Sequence, residues 1–264
     1  MPPADRSAVR SARRVVVKVG SSSISGDNVV AIEPLVDALA AAHARGVEIV
    51  LVSSGAIATG MPFLRLASRP TDLATQQAAA AVGQNLLVHR YQQSLDRFGI
   101  VAAQVLLTAG DLENPTHRSN AQRATERLLG LRILPIVNEN DTVATHEIRF
   151  GDNDRLAALV SLLVRADALV LLSDVDAIYT RPPAEPGARR IAVVHDDSDL
   201  DGVTFGASTS GVGTGGASTK VSAARLAAST GTGVLVTSTA RVAEALEGAD
   251  IGTWFPPAST APTS

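Results

Sequence analysis

Cysteine is absent from the 264 residues, which removes disulfides, thiolate metal sites and cysteine nucleophiles together. The redox compartment is left unconstrained by thiols. Aromatic residues are scarce: five Phe, two Tyr and one Trp. With 45% of the chain hydrophobic, the core must therefore be built from Val, Leu, Ile and Ala, as in layered α/β proteins. No apolar run reaches the roughly 18 residues that a membrane-spanning helix needs. Arg6, Arg10, Arg13 and Arg14 precede Val15-Val16-Val17, but Lys18 interrupts that run at once. No signal-peptide core develops, and the chain reads as cytoplasmic. Twenty-three basic against 26 acidic residues give a net charge of −3, which argues against nucleic acid or an acidic membrane surface as a main partner.

Lysine is the sharpest shortage. Of the 23 basic residues only Lys18 and Lys220 are lysines. A chain that uses arginine elsewhere places a compact point charge on a thin stem at these two positions, where a planar fork would serve differently. Two surface lysines left by compositional drift are the alternative reading. Both positions, however, lie beside Gly/Ser-rich turns.

The apolar pattern predicts strands at Val15 to Val19, Val47 to Val52, Ile100 to Leu107, Ile133 to Val137, Ala168 to Leu172, Gly233 to Val236 and Ile251 to Phe255. Their continuous apolar character suits strands buried on both faces. Helical patterns fall between them at Ile32 to Ala44, closed by Gly46, after Ser53-Ser54-Gly55, at Leu73 to Phe98 with Gly83 as a candidate break, at Thr116 to Leu129 started by Asn114-Pro115, at Leu156 to Val164, at Thr219 to Ser229 and at Val242 to Leu246. Thr142 to Phe150 reads as an excursion or hairpin. Thr180 to Gly216, rich in Pro, Gly, Ser, Thr and Asp, reads as an irregular lid or subdomain. The alternation predicts a three-layer αβα sandwich with a largely parallel central sheet. Residues 1–14 form an N-terminal arm, 15–255 one domain, and 256–264 a disordered tail.

In such a sheet ligands sit beyond the carboxyl ends of the strands. Four polar clusters fall at that end, after Val19, Val52, Val137 and Leu172. Gly20-Ser21-Ser22-Ser23 offers backbone N–H groups and hydroxyls suited to phosphate, without the ending of a Walker A loop; a plain polar turn would look the same. Ser53-Ser54-Gly55 can hold a carboxylate or phosphate, or simply cap a helix. Gly211 to Gly216 matches a dinucleotide-binding pattern, but no strand immediately precedes it, so a glycine-rich lid over nucleotide phosphates or a flexible loop fits better. Asn138-Glu139-Asn140-Asp141 and Gly151-Asp152-Asn153-Asp154, with Glu147 between them, place five carboxylates and three amides between residues 138 and 154. Such a group can bind a ligand amine, orient lysines or help hold Mg²⁺; a solvated acidic loop is the alternative. The five His residues show no paired ligand spacing.

These stretches resemble the amino acid kinase family, and within it the branch that phosphorylates glutamate in proline biosynthesis. The resemblance is carried by Val16-Val17-Lys18-Val19-Gly20-Ser21, Val52-Ser53-Ser54-Gly55-Ala56-Ile57-Ala58, Ala81-Val82-Gly83-Gln84, Gln104-Val105-Leu106-Leu107-Thr108, Val137 to Val143, Phe150 to Asp154, Leu171-Leu172-Ser173-Asp174 and Gly213 to Lys220. They run in family order across most of residues 15 to 255.

The resemblance implies transfer of the ATP γ-phosphoryl group to the side-chain carboxylate of L-glutamate. It implies that Lys18 and Lys220 flank the phosphoryl group and that Asp154 holds them in place. Ser54, Asn138, Asp141, Asp152 and Asn153 would then form the glutamate site. Lys18, Gly20, Ser21, Ser173, Asp174, Thr214, Gly215, Gly216, Ala217, Ser218, Thr219 and Lys220 would meet ATP. Mg²⁺ is the implied cofactor, with no protein side chain assigned to it as a metal ligand. L-Proline is the implied candidate feedback inhibitor, and a homo-oligomer, dimer or tetramer, is the expected assembly. Ala217, Ser173 and Ala177 depart from residues common in relatives, Met, Thr and Gly respectively. The C-terminal pseudouridine-synthase-type domain of many bacterial members is expected to be missing. A kinase for N-acetylglutamate or another acid, or a non-catalytic nucleotide or amino-acid sensor, remains as the alternative; the retained lysines and Asp154 speak against a sensor.

Overall fold

The computed structural model describes residues 5–144, 153–203 and 216–258. Within them the valine-rich segments become strands of one seven-stranded sheet: β1 (Arg14–Lys18), β2 (Glu48–Val52), β3 (Ala102–Leu107), β4 (Leu134–Glu139), β5 (Ala168–Ser173), β6 (Gly233–Ser238) and β7 (Thr253–Phe255), in the order β3-β4-β2-β1-β5-β6-β7. All neighbouring pairs are parallel except β6 with β7. A parallel strand must bury both faces, and these do. Val15 and Val17 of β1 pack into one core while Val16 packs into the other, and Ile49 and Leu51 of β2 are separated from Val50 and Val52 in the same way.

The helices are α1 (Ser7–Ser11), α2 (Ile32–Ala44), α3 (Ala56–Gly60), α4 (Leu73–Asp96), α5 (Ala109–Glu113), α6 (Pro115–Gly130), α7 (Asn153–Leu163), α8 (Ala217–Ser229) and α9 (Val242–Leu246). Buried apolar residues of α1, α2 and α9, with Leu87, Tyr91 and Leu95 of α4, belong to the core on one face, those of α6, α7 and α8 to the core on the other, and Ala79 and Ala80 of α4 cluster with Ile57 of α3. This is the three-layer αβα arrangement that the alternation of elements predicts. Asn114 caps α6 as expected, its side-chain oxygen accepting from the Thr116 and His117 N–H groups.

Two expectations change. Gly83 does not break α4, which runs on as one helix to Asp96; the glycine is there for a close crossing, because a Cβ on it would lie 1.7 Å from the Ala56 carbonyl oxygen in α3. In the segment expected to be irregular, Tyr179 and Arg190 form an antiparallel bridge, Val193 bridges Trp254, and Asp197–Leu200 make a 3₁₀ turn capped by Asp196. The expected hairpin beyond Ala144, Gly211 to Gly215 of the glycine-rich stretch, and the tail from residue 259 lie outside the described residues.

Residues ahead of the first strand are built into the structure. Ala8 and Val9 of α1 are buried, and Arg6 donates to the carbonyls of Ala192 and Gly252 while pairing with Asp250 at 2.7 Å.

Candidate active site

Because β1, β2, β4 and β5 are parallel neighbours, their carboxyl ends place the four polar clusters along one edge of the sheet. At the end of β1, Lys18 reaches Asp154 with Nζ 2.6 Å from Oδ1. From the first turn of α8, Lys220 reaches the other oxygen, Nζ to Oδ2 3.1 Å. Thr219 Oγ1 lies 3.1 Å from the same Oδ2. Asp154 has no exposed surface, and Lys18 and Lys220 are 4% and 6% exposed, so three charged groups share one desolvated position. Burial by itself would push the Asp154 carboxyl up, but the ammoniums of Lys18 and Lys220 outweigh it and hold the carboxyl below its usual range. Two ammoniums around one carboxylate leave a net positive centre. A polyphosphate is the ligand class such a centre attracts.

Asp154 is the second residue of α7, and the first, Asn153, faces the other half of the site. Its amide donates 2.8 Å to Asn138 Oδ1 and 2.8 Å to the Ser53 carbonyl. One helix start thus joins the loops after β2 and β4 and hands its next residue to the lysines. Asn138 is 3% exposed and its oxygen also accepts from the Glu139 N–H, while its Nδ2 is buried and unpartnered. That donor is available to a ligand oxygen.

Ser54 lies half-buried at the end of β2, and Asp141 half-buried in the turn after β4. Gly55, next to Ser54, takes φ +91°, and a Cβ there would meet Ser21 Cα at 3.4 Å. The left-handed conformation favours glycine, and the 3.4 Å approach, an ordinary van der Waals contact, sets the β1 and β2 loops side by side. Gly20 and Ser21 form that β1 turn, with Ser21–Ser23 as a 3₁₀ turn.

Ser173 and Asp174 follow at the end of β5, where Ser173 Oγ donates to Asp174 Oδ1 at 2.9 Å and Thr239 Oγ1 to the Ser173 carbonyl at 3.3 Å. Neither makes a described contact with the lysine pair. Gly216 caps α8, with its N–H donating to Thr219 Oγ1 at 3.1 Å; Ala217 is half-buried and Ser218 exposed on the following turn. Asp152, Thr214 and Gly215 lie outside the described residues. Ser53, fully buried, is missing from the expected contacts although its carbonyl anchors Asn153. Only its place beside Ser54 pointed to it.

Among the described residues no group of three His, Asp or Glu side chains is placed to hold a metal ion. Asp154 is already bridged by two ammoniums, whereas Asp174 stands exposed at the sheet edge. This donor set fits Mg²⁺ carried on nucleotide phosphates, the usual mode for that ion.

The family model described as "Amino acid kinase family" matches residues 13–238. Curated relatives named glutamate 5-kinase are 74% identical over 98% of this chain and 100% of theirs in Clavibacter sepedonicus, 73% over 96% and 94% in Leifsonia xyli subsp. xyli, and 56% over 95% and 68% in Streptomyces coelicolor. Among solved structures, carbamate kinase from Giardia lamblia bound to AMP-PNP superposes with a TM-score of 0.66 at 17% identity, covering 94% of this chain and 99% of that one. An isopentenyl phosphate kinase superposes at 0.62 and 20% identity, covering 92% and 99%. These two likenesses establish the fold.

Proposed function

The chain belongs to the amino acid kinase family, and from that membership we propose that its site transfers the γ-phosphoryl group of ATP to the side-chain carboxylate of L-glutamate, giving L-glutamyl 5-phosphate, the first step of proline biosynthesis. The observation that carries this reading is the buried Lys18–Asp154–Lys220 bridge at the parallel sheet's carboxyl edge. A carboxylate nucleophile must approach a polyphosphate that repels it. In the transition state charge gathers on the equatorial oxygens of the phosphoryl group. Lys18 and Lys220 supply the compensating charge from two sides, and Asp154 keeps both ammoniums preorganised.

The carboxylate oxygen forms the new P–O bond while the bond from γ-phosphorus to the β,γ-bridging oxygen breaks, and ADP leaves with that electron pair. The nucleophile is already ionised, so no general base is needed. Mg²⁺, when bound, would add charge neutralisation at the ATP phosphates, and the exposed Asp174 is a carboxylate that could hold it there. Ser54 and Asn138 hold glutamate through its oxygens, Asn153, with both Nδ2 protons given to Asn138 and Ser53, lines the same site, and Asp141 pairs with the ligand ammonium. Gly20, Ser21, Ser173, Asp174 and residues 214–220 serve the nucleotide in this reading.

Residues 15–255 act here as one kinase domain. A cytoplasmic location, a homo-oligomer, feedback by L-proline, and no nucleic-acid or membrane partner complete the proposal. The net charge is −3, and among the described residues no helix is long and apolar enough to cross a membrane. The test is ADP release with glutamate, N-acetylglutamate, aspartate and UMP in parallel. Turnover with glutamate alone is expected; turnover with N-acetylglutamate and not with glutamate overturns the assignment of Asp141.

A further inference from the structure

The Ala81-Val82-Gly83-Gln84 stretch has no part in the chemistry above, yet it lies in the middle of α4, against both glutamate-side loops. Three polar side chains spaced seven residues apart on this helix reach three points of those loops. Gln77 Nε2 donates to the Ala144 carbonyl at 3.3 Å, Gln84 Nε2 to the Glu139 carbonyl at 3.2 Å, and Tyr91 OH lies 3.0 Å from Ser53 Oγ. Seven residues are close to two helical turns, so the three side chains share one face. The first two contacts bracket the loop that carries Asp141, one beyond each side of it. The third acts on the β2 loop. Ser53 Oγ also lies 3.2 Å from the Ser54 carbonyl, and in its contact with Tyr91 either hydroxyl can be the donor.

These contacts are poor candidates for packing alone. Gln84 is 6% exposed and Tyr91 is fully buried; an apolar side chain would fill either place with no polar group to satisfy. Gln84 is itself oriented by Gln104, whose amide donates to its Oε1 at 3.4 Å. The helix is held in turn at backbone distance from α3 through Gly83 and Gly60, and α3 begins directly after Ser54-Gly55.

We propose that Gln77, Gln84 and Tyr91 are positioning residues that fix the β2 loop relative to the β4 loop, and so set the glutamate site without touching glutamate or the nucleotide. The inference rests on the glutamate-kinase reading of this site.

The experiment measures steady-state kinetics, fluorescent-nucleotide binding and thermal unfolding for the full chain and for Gln77→Met, Gln84→Met and Tyr91→Phe. Each change keeps approximate volume and removes the hydrogen-bonding group. KM for glutamate should rise about five- to tenfold in each, the worth of a lost hydrogen bond, with nucleotide affinity and KM for ATP unchanged. Gln77 is half-buried and Tyr91→Phe loses only an oxygen, so these two carry the test if Gln84→Met does not fold. Glutamate turnover by the parent chain with unmoved glutamate KM in those variants overturns the proposal alone. Equal rises in both Michaelis constants overturn it as well. No glutamate turnover by the parent chain overturns the functional reading, and the positioning role with it.

Discussion

Lys18 and Asp154 are 136 positions apart in the chain and 2.6 Å apart at their charged atoms. The contact is made because β1 delivers Lys18 to the carboxyl edge while α7 starts at that edge with Asp154 in its first turn. Lys220 completes the arrangement from α8, so the carboxylate ties a strand end to two helix starts. Removing it would take away the carboxylate that both ammoniums share.

That arrangement makes Asp154→Asn costly in two measurable ways. Deleting one partner of a buried ion pair costs about 3–5 kcal/mol, which should appear as a large drop in unfolding midpoint. Turnover should fall together with it, as the lysines lose their common anchor. The pH dependence has a definite sign. The Asp154 carboxyl is held low in the folded state by Lys18 and Lys220 against the opposing effect of burial, so its stabilisation is complete above its unfolded pKa of about 3.9. It is lost as pH falls through the lower folded value. Parent and variant should therefore differ by a constant amount from pH 5 to 7 and converge below pH 4. A gap that stays constant into strong acid would show that the carboxylate's charge is not what stabilises the centre.

The lysine shortage turns a chemical probe into a site-resolved one. Amine-selective acylation has three targets in this chain, Lys18, Lys220 and the N-terminus. Both lysines are nearly buried and bound to Asp154, so both should label slowly. An Mg-ATP analogue should slow them further and leave the N-terminus unaffected. Lys18→Arg and Lys220→Arg keep the charge but spread it over a broad fork; each should lose about 10²–10³ in turnover, the typical effect of losing a preorganised donor. Near-full activity in both would mean that the scarcity of lysine is only compositional.

Strands were legible because short continuous runs of Val, Leu and Ile bounded by turn residues suit strands buried on both faces. Each observed strand starts within two residues of the expected one. The polar clusters of the candidate site were legible as motifs, because clusters directly after buried strands must lie at the sheet's edge. The contacts that join them were not. Nothing in the order of residues says that Tyr91 meets Ser53, 38 positions earlier, or that Asn153 spans two loops, since these depend on which helix crosses which strand end. The short α1 was illegible for a different reason: five residues carry too little periodicity, and its stability comes from Arg6 and two buried side chains. At Gly83 local propensity pointed the wrong way, because a glycine disfavoured in a helix is retained where another backbone lies against it.

The role proposed for Asp141 separates substrate recognition from phosphoryl transfer. Asp141→Asn removes the charge proposed to meet the glutamate ammonium while keeping the side chain's shape. A hydrogen bond to a charged group is worth roughly 1.5–3 kcal/mol, which corresponds to a rise of about 10- to 100-fold in glutamate KM. KM for ATP should stay near its parent value. Equal changes in both constants would remove Asp141 from the amino-acid side of the site.

Gly83→Ala tests the helix crossing beneath the β2 loop. A Cβ at Gly83 would lie 1.7 Å from the Ala56 oxygen, and one at Gly60 would lie 2.0 Å from the Ala79 oxygen. Both obstacles are backbone, so neither can turn aside; α3 must lift from α4. Overpacking typically costs about 1–3 kcal/mol, and with backbone on both sides the loss should fall at or above the upper end. Gly130 provides the contrast. It ends α6 with an ordinary negative φ and nothing within 4 Å of its added Cβ, so the same Gly→Ala change should be neutral or stabilising by about 0.4–1 kcal/mol. The double variant Gly60→Ala/Gly83→Ala should cost less than the sum of the single changes, because either one already separates the helices. Lifting α3 also moves the chain that leads out of Ser54-Gly55, so Gly83→Ala should raise glutamate KM while nucleotide affinity holds. Thermal midpoints like the parent's for both Gly60→Ala and Gly83→Ala would mean that α3 does not cross α4 at backbone contact.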